Sequence, residues 1–304
     1  MTASLNRELR GAGLFCGESR TGPPCPDGSF LGYLSPLEVR EQGNFLTVRT
    51  GIGSECGFDE SAYLFNRRRQ PMRLVWRLEQ TSDREPGYRP LELVALRVSK
   101  EAGRGGECLV LAVGLRSSCG STWRQIDYRV FRVDVVEGES IRLLAALERG
   151  NIGDGMPDGA ASADGIHIEF QTGSVDSSLL TRLAVRRFRV VGDRVQRVDP
   201  VALGPSGFVD EWLSLPWEQA AAWSEAAGRD ALRGAHGSIG RDAAFLGPPR
   251  KCGRSTGLWQ VGVAQEQRRR YFLVRWTPPF RFRMSAVRNA PRTDCVTEDP
   301  EADA

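Results

Sequence analysis

His167 and Glu169 are the pair whose types and spacing suit proton transfer. Along Ile166, His167, Ile168, Glu169 and Phe170 the apolar and ionisable residues alternate. On a strand, Ile166, Ile168 and Phe170 would share one face and His167 and Glu169 the other. An imidazole beside a carboxylate can act as acid and base if a cleft shields the two. A solvated strand face carries the same pair without chemistry. His236, in Gly-Ala-His-Gly, has no partner identifiable from the chain.

A second group is Asp154, Asp158 and Asp164, in the stretch 151–165, NIGDGMPDGAASADG. Carboxylates in a glycine-rich loop can gather oxygen ligands around Ca²⁺. The ligand order of an EF-hand is absent, and Asp, Gly and Pro are equally the residues of a plain turn. No cofactor is expected, with Ca²⁺ at these three aspartates as the exception.

Gly253-Arg254-Ser255-Thr256-Gly257 matches the GxSxG pattern of a nucleophile elbow. An elbow needs a helix after it and a histidine later in the chain. Here a strand pattern follows and both histidines come earlier, so a glycine-rich turn is expected. Gly51-Ile52-Gly53 is followed by Gly57, one residue late for a dinucleotide fingerprint, and 247–253 lacks the P-loop spacing and lysine. The seven cysteines (16, 25, 56, 108, 119, 252, 295) include no CxxC, which argues against structural zinc. A Cys16–Cys25 disulfide fits a loop-rich N-terminus; the alternative is reduced thiols in a cytosol.

The strongest charge feature is 248–292, with eleven basic residues and one acid, Glu266; the tail 294–304 then carries five acids. Arg281 and Arg283 alternate with Phe280, Phe282 and Met284, the pattern of a half-buried strand with arginines outward. Arginines interleaved with Tyr271, Trp276 and phenylalanines are also compatible with single-stranded nucleic acid, a reading that ranks behind a solvated face answered by acids elsewhere.

These residues must be positioned by strands. Three units share one plan: 45–50, 62–65 and 72–78; then 108–114, 126–136 and 141–147; then 166–170, 183–191 and 194–198. Their second and third strands are joined by short polar turns, a hairpin signal. Phe65, Phe131 and Phe188 recur in the middle strands. A looser fourth copy runs 259–264, 271–276 and 280–284, and 91–98 is an extra strand. Between copies three and four stands the one strongly helical stretch, 206–232, with Trp212, Trp217 and Trp223. Ser206 is the expected N-cap. Pro216 should divide two helices, about 208–215 and 216–232. The tryptophans either dock this hairpin on the β core or form an exposed patch for sugar rings or a protein.

The formal charge of +3 implies neither a nucleic-acid nor a membrane partner, and the scarcity of lysine (two residues) reads as bacterial-like genome composition. No 18-residue apolar run suggests membrane insertion. No apolar core of a signal peptide is seen near residue 1, so the cytoplasm is the default compartment; an extracytoplasmic one would need a signal absent from this sequence.

The expected fold is mainly β: repeated antiparallel meanders, propeller-like, with an inserted or appended helical hairpin. The alternative is a β-sandwich with a helical insertion. Residues 1–30 should form a loop-rich arm, 31–292 the β domain and 293–304 an acidic tail. The expected function is a non-enzymatic scaffold for a protein or carbohydrate partner, with Trp212, Trp217, Trp223, Arg281 and Arg283 as binding candidates. A carboxylate-based, metal-assisted hydrolase and nucleic-acid binding through 248–292 are the alternatives.

Overall fold

The computed structural model describes residues 37–54, 57–68, 70–79, 91–100, 106–116, 123–151, 156–163, 165–173, 181–198, 200–239, 243–253, 257–277 and 281–297. The arm 1–30, Cys16, Cys25, Asp154, Asp164, Ser255, Phe280 and the tail from Glu298 onward lie outside the described residues.

The chain is mainly β, in antiparallel meanders that repeat, as the alternation of its strands requires. Each of the first three meanders has four strands. The first sheet is β1 (Glu38–Gln42), β2 (Phe45–Ser54), β3 (Gly57–Asn66) and β4 (Arg73–Leu78), in that order. The second is β5 (Leu91–Val98), β6 (Glu107–Arg116), β7 (Trp123–Asp134) and β8 (Ser140–Asn151). The third runs β12 (Arg194–Arg197), β11 (Thr181–Val191), β10 (Gly165–Gly173), β9 (Asp158–Ser162). The sequence units thus lacked one strand each. Residues 91–98 are not an extra strand between units but the first strand of the second sheet. The stretch 151–165 is not one loop, since it contains β9 and the end of β8. Its short alternation of small residues is too weak a hydrophobic signal to announce a strand.

Three helices follow: α1 (Pro205–Ser214), α2 (Trp217–Ala222) and, after a 3₁₀ turn at Ala226–Gly228, α3 (Arg229–Ser238). The last sheet has the order β17 (Arg281–Arg288), β16 (Arg268–Thr277), β15 (Leu258–Gln265), β14 (Arg250–Cys252), β18 (Cys295–Thr297), with β13 (Ala244–Phe245) also paired to β15. No described helix is long and apolar enough to cross a membrane.

The chain divides into two compact units, Met1–Ile168 with Phe188–Gln196, and Glu169–Arg187 with Arg197–Ala304. In the first unit the two leading sheets share a core of Leu64, Val75, Trp76, Leu91, Leu93, Val110, Phe131 and Val133. Trp76 meets Phe131 edge-on at 5.2 Å, the arrangement ring quadrupoles favour. The recurrent phenylalanines mark a local irregularity: the ladder shifts register at Leu64/Phe65 and again at Val130/Phe131. A bulge at the same place in successive sheets re-aims the strand end at its turn. Those turns are gripped by arginines. Arg73 donates to the carbonyls of Val136 and Glu137 in the β7–β8 turn, and Arg132 to Gly192 and Asp193 in the β11–β12 turn.

In the second unit the helical segment packs on one face of the last sheet. Its core joins Phe208, Val209, Trp212, Ala220 and Leu232 to Val261, Val263, Phe272, Val274, Phe282 and Met284. Two expectations about the helices need correction. Ser206 is not the N-cap: Gly204, in extended backbone, precedes the helix and Pro205 opens it. Proline is preset for that position and brings no NH that needs an acceptor. The second helix does not run to 232 but stops at Ala222. There the chain turns to pair with β17: Met284 donates to the Trp223 carbonyl and Glu225 donates to the Met284 carbonyl, both at 2.8 Å. Those two bonds replace helical ones and cover the edge of β17, which would otherwise present open backbone groups.

Candidate binding surface

Several ionisable residues of the first unit are engaged with one another. Asp127, almost fully buried, lies between Arg116 and Arg129, each donating to it at 2.8 Å. Glu60 accepts from Arg49 at 2.8 Å and from the Leu93 NH at 2.6 Å. Burial still pushes the Glu60 carboxyl above its ordinary range, against the Arg49 guanidinium and the Leu93 hydrogen bond. Asp158, at the start of β9, takes the guanidinium of Arg97 at 2.5 Å and the NH of Gly159 at 2.7 Å. Among the described residues no three His, Cys, Asp or Glu side chains gather as a metal site needs; Asp154 and Asp164 lie outside them.

The faces of β10 follow the expected alternation, with Ile166, Ile168 and Phe170 buried and His167 and Glu169 half-buried. Among the described residues, no carboxylate cluster joins His167. Of the GxSxG pattern, Gly253 follows β14 and Gly257 precedes β15, so a strand stands where an elbow needs a helix. Gly257, at φ 56°, lies so close to the Trp276 carbonyl that a Cβ would sit 2.5 Å from it. Glycine is required there by backbone approach, not by a nucleophile.

The binding candidates of the second unit are brought together, though not as one aromatic patch. Trp212 is not exposed: it is fully buried, and its indole NH reaches the Ala220 carbonyl and the Ser224 hydroxyl. His236 has partners after all. It lies 4.9 Å from the Trp212 ring and 5.6 Å from Trp217, and one ring nitrogen is 3.0 Å from the Leu215 carbonyl. Trp217 is half-buried against this group. Only the folded chain brings His236 to the tryptophans, 24 and 19 positions earlier, so no local spacing announced it.

Trp223 is half-buried at the edge of β17. The Arg283 guanidinium lies 5.7 Å over its ring and donates to the Ala222 carbonyl. Register places Arg283 directly opposite Arg275 on β16, with Arg281 opposite Thr277; all three arginines are exposed. Like charges directly opposite each other oppose sheet pairing. One carboxylate answers them. Glu225 accepts from Arg275 at 3.0 Å and from the Ser285 hydroxyl at 2.8 Å. Burial pulls its carboxyl upward, but the hydrogen bonds from Arg275 and Ser285 and the fields of Arg275 and Arg283 outweigh it and hold it below its ordinary range. Glu225, Arg275 and Ser285 were not among the sequence candidates. Only the break in the helix at Trp223, which the sequence did not reveal, brings Glu225 there.

The face of the sheet turned away from the helices has its own small core of Cys252, Leu273 and Cys295, with Leu258 and Ala286 packed against it. The segment 289–294 joins β17 to β18 across that sheet. It is pinned by a hydrogen bond from the Arg292 NH to the Gln260 side chain at 2.7 Å and closed by a Cys252–Cys295 disulfide. Asp294 pairs with Arg292, so this first acid of the tail does answer a basic residue of 248–292.

No protein-family description matches the sequence. No characterised protein matches it either. Solved structures show loose likenesses. One is the β-propeller domain of the Trilobed protease from Pyrococcus furiosus, at 9% identity over 90% of this chain and 73% of that chain, with a TM-score of 0.28. A glycoside hydrolase aligns at 8% identity over 83% of this chain and 76% of that chain, with a TM-score of 0.31. A xylan β-1,4-xylosidase from Bacillus halodurans C-125 aligns at 10% identity over 90% and 61%, with a TM-score of 0.22. No function follows from similarity at these scores.

Proposed function

We propose that the protein is a non-enzymatic β scaffold whose C-terminal unit binds an acidic partner, a protein in the first place, through the exposed arginines of β16 and β17. The observation that carries this is the opposition of Arg275 and Arg283 on neighbouring strands, with Arg281 beside them and one carboxylate, Glu225, between. The sheet holds positive charge together at a cost, and an anionic surface relieves that cost on docking. Trp223 adds a flat apolar contact next to Arg283, a combination frequent at protein interfaces. The engagement of Asp127, Glu60 and Asp158 with arginines favours a structural use of those carboxylates over hydrolysis.

The test is binding of fluorescently labelled poly-glutamate, followed by anisotropy in low and moderate salt. Binding that weakens with salt and is lost in the Arg281→Ala/Arg283→Ala double variant supports the reading. Equal binding by that variant overturns it.

A further inference from the structure

Arg275 and Arg283 stand at a position that the chain uses twice elsewhere to grip a hairpin turn. The first, second and last sheets each hold one ladder that shifts register: β3–β4 at Leu64/Phe65, β7–β8 at Val130/Phe131 and β16–β17 at Leu273/Val274. Each time the later strand carries the extra residue: Val75, Leu143 and Ser285. The second cross-strand pair past the shift is then Asn66 with Arg73, Arg132 with Ile141, and Arg275 with Arg283.

In the first two sheets this pair grips the hairpin turn of the sheet that follows in the chain. Asn66 donates to the Val135 carbonyl at 3.0 Å, and Arg73 to the carbonyls of Val136 and Glu137. Arg132 donates to the Gly192 carbonyl and to the Asp193 carboxylate. The pair in the last sheet points the corresponding way. Phe131, one step nearer the shift than Arg132, packs into the core shared with the preceding sheet. Val274, one step nearer than Arg275, packs against the preceding helices. One step along a strand reverses the face, so Arg275 and Arg283 lie on the face turned away from the helices. Among the described residues their hydrogen-bond partners are Glu225 and the Ala222 carbonyl, neither of which belongs to a hairpin turn. Exposure separates the two cases: the Arg132 side chain, under its turn, keeps 19% of its surface, whereas Arg275 keeps 47%.

We propose that Arg275 and Arg283 hold a β-hairpin turn of a partner protein, a turn that carries a carboxylate, as Arg132 holds Gly192 and Asp193. The guanidiniums offer forked donors to the carboxylate and the turn carbonyls, and Trp223 lies beside Arg283 as an apolar contact. Charge argues against a second copy of this chain as the occupant. Its β7–β8 and β11–β12 turns are already held within the chain, and its β3–β4 turn carries Arg67, Arg68 and Arg69, of the same sign as the site. The proposal rests on the acidic-partner reading above and states the shape of what is bound.

The test uses a fluorescein-labelled peptide with the sequence of residues 134–140, which holds three acids, flanked by two cysteines and closed into a hairpin by their disulfide. The same peptide, reduced and alkylated, and hexaglutamate serve as open comparisons. The closed peptide should bind the full chain about tenfold more tightly than its open form. Arg283→Ala should weaken the closed peptide about tenfold. Arg275→Lys keeps the charge beside Glu225 but loses the fork, and should weaken it similarly with an unchanged melting temperature. Arg250→Ala removes a charge from the same face, on β14, and should leave binding nearly unchanged. Equal affinity for closed and open peptides overturns the hairpin, and so does an equal loss in Arg250→Ala, which would show diffuse attraction. If closed and open forms bind alike and both are lost in the Arg281/Arg283 variant, the acidic-partner reading stands and the hairpin falls. If neither peptide nor hexaglutamate binds, both fall. A single-stranded oligonucleotide that binds these arginines while the closed peptide does not overturns the assignment to a protein turn.

Discussion

The indole NH of Trp212 lies 3.1 Å from the hydroxyl of Ser224, which itself donates to the Ala220 carbonyl at 2.8 Å. The indole also reaches that carbonyl, at 3.0 Å. One buried side chain therefore ties the three parts of the helical segment before its 3₁₀ turn: α1, α2 and the stretch that pairs with β17. Trp212→Ala should cost about 3–5 kcal/mol, the range for emptying a buried aromatic site. Trp212→Phe keeps much of the volume and loses the hydrogen bonds, so its cost should be smaller. Denaturant unfolding of both variants checks this; an unchanged midpoint for the alanine variant would sink the docking of the helices.

The disulfide between Cys252 and Cys295 spans 43 positions and closes the segment that crosses the last sheet. Loop-closure entropy for a span of that length sets its worth at about 4 kcal/mol as an upper figure. Cys295→Ser should lower the melting temperature, and a dithiol reductant should lower that of the parent while leaving the variant unmoved. A parent insensitive to reductant, with two titratable thiols at these positions under denaturing conditions, would show that the bond does not form.

Much of the fold was legible because strands carry a period of two. Phe282 and Met284 are buried and Arg281 and Arg283 exposed, as alternation requires. The repeat of meanders was visible in Phe65 and Phe131, since a bulge recurs where they stand. What was missed was set by partners far away in sequence. Residues 223–225 continue an alanine-rich helical stretch in the sequence, yet in the fold they pair with Met284 instead. β9 is too short and too small in its side chains to signal itself. The site candidates divide in the same way. Arg283 and Trp223 meet as neighbours, whereas Trp212 is core and Asp158 belongs to an ion pair with Arg97.

Glu225 makes stability depend on pH in a definite direction. Its folded carboxyl is held below its ordinary range. Such a group contributes stability above the unfolded pKa, near 4.3, and loses that contribution as pH falls through the lower folded value. Comparing the parent with Glu225→Gln by urea unfolding, the gap should be constant above about pH 5.5. It should close as the pH falls below about 4. A gap that widened in acid would show that the carboxyl is not stabilised by Arg275 and Ser285.

Asp127 is a costly charge to remove from the first unit. Its carboxylate is nearly buried and receives both Arg116 and Arg129. Asp127→Asn would leave two half-buried guanidiniums facing each other, a change worth roughly 3–5 kcal/mol. Asp127→Asn should therefore unfold at markedly lower urea, yet any hexaglutamate binding measured on the folded fraction should be unchanged. If that variant kept full stability, the arginines would be using other acceptors and the structural reading of these carboxylates would lose its best case.

The acidic tail gives the last prediction, and the structure changes how it must be tested. Removing 294–304 would take away all five acids of the tail. It would also delete Cys295 and the whole of β18, and with them the pairing of Asp294 with Arg292. Any change in affinity would then report a damaged sheet. Deletion from Glu298 avoids this, since it takes away Glu298, Asp299, Glu301 and Asp303 and leaves the disulfide in place. Register puts Thr297 beside Arg250, and β18 runs toward the end of the sheet that carries Arg269 and Arg288. Seven residues can reach about 23 Å when extended. Strands lie about 4.8 Å apart, so this crosses several of them. If the tail competes with an acidic partner, the shortened chain should bind hexaglutamate about three- to tenfold more tightly in low salt, with the difference shrinking as salt rises. Equal affinity at every salt concentration would show that these four acids do not occupy the arginine surface.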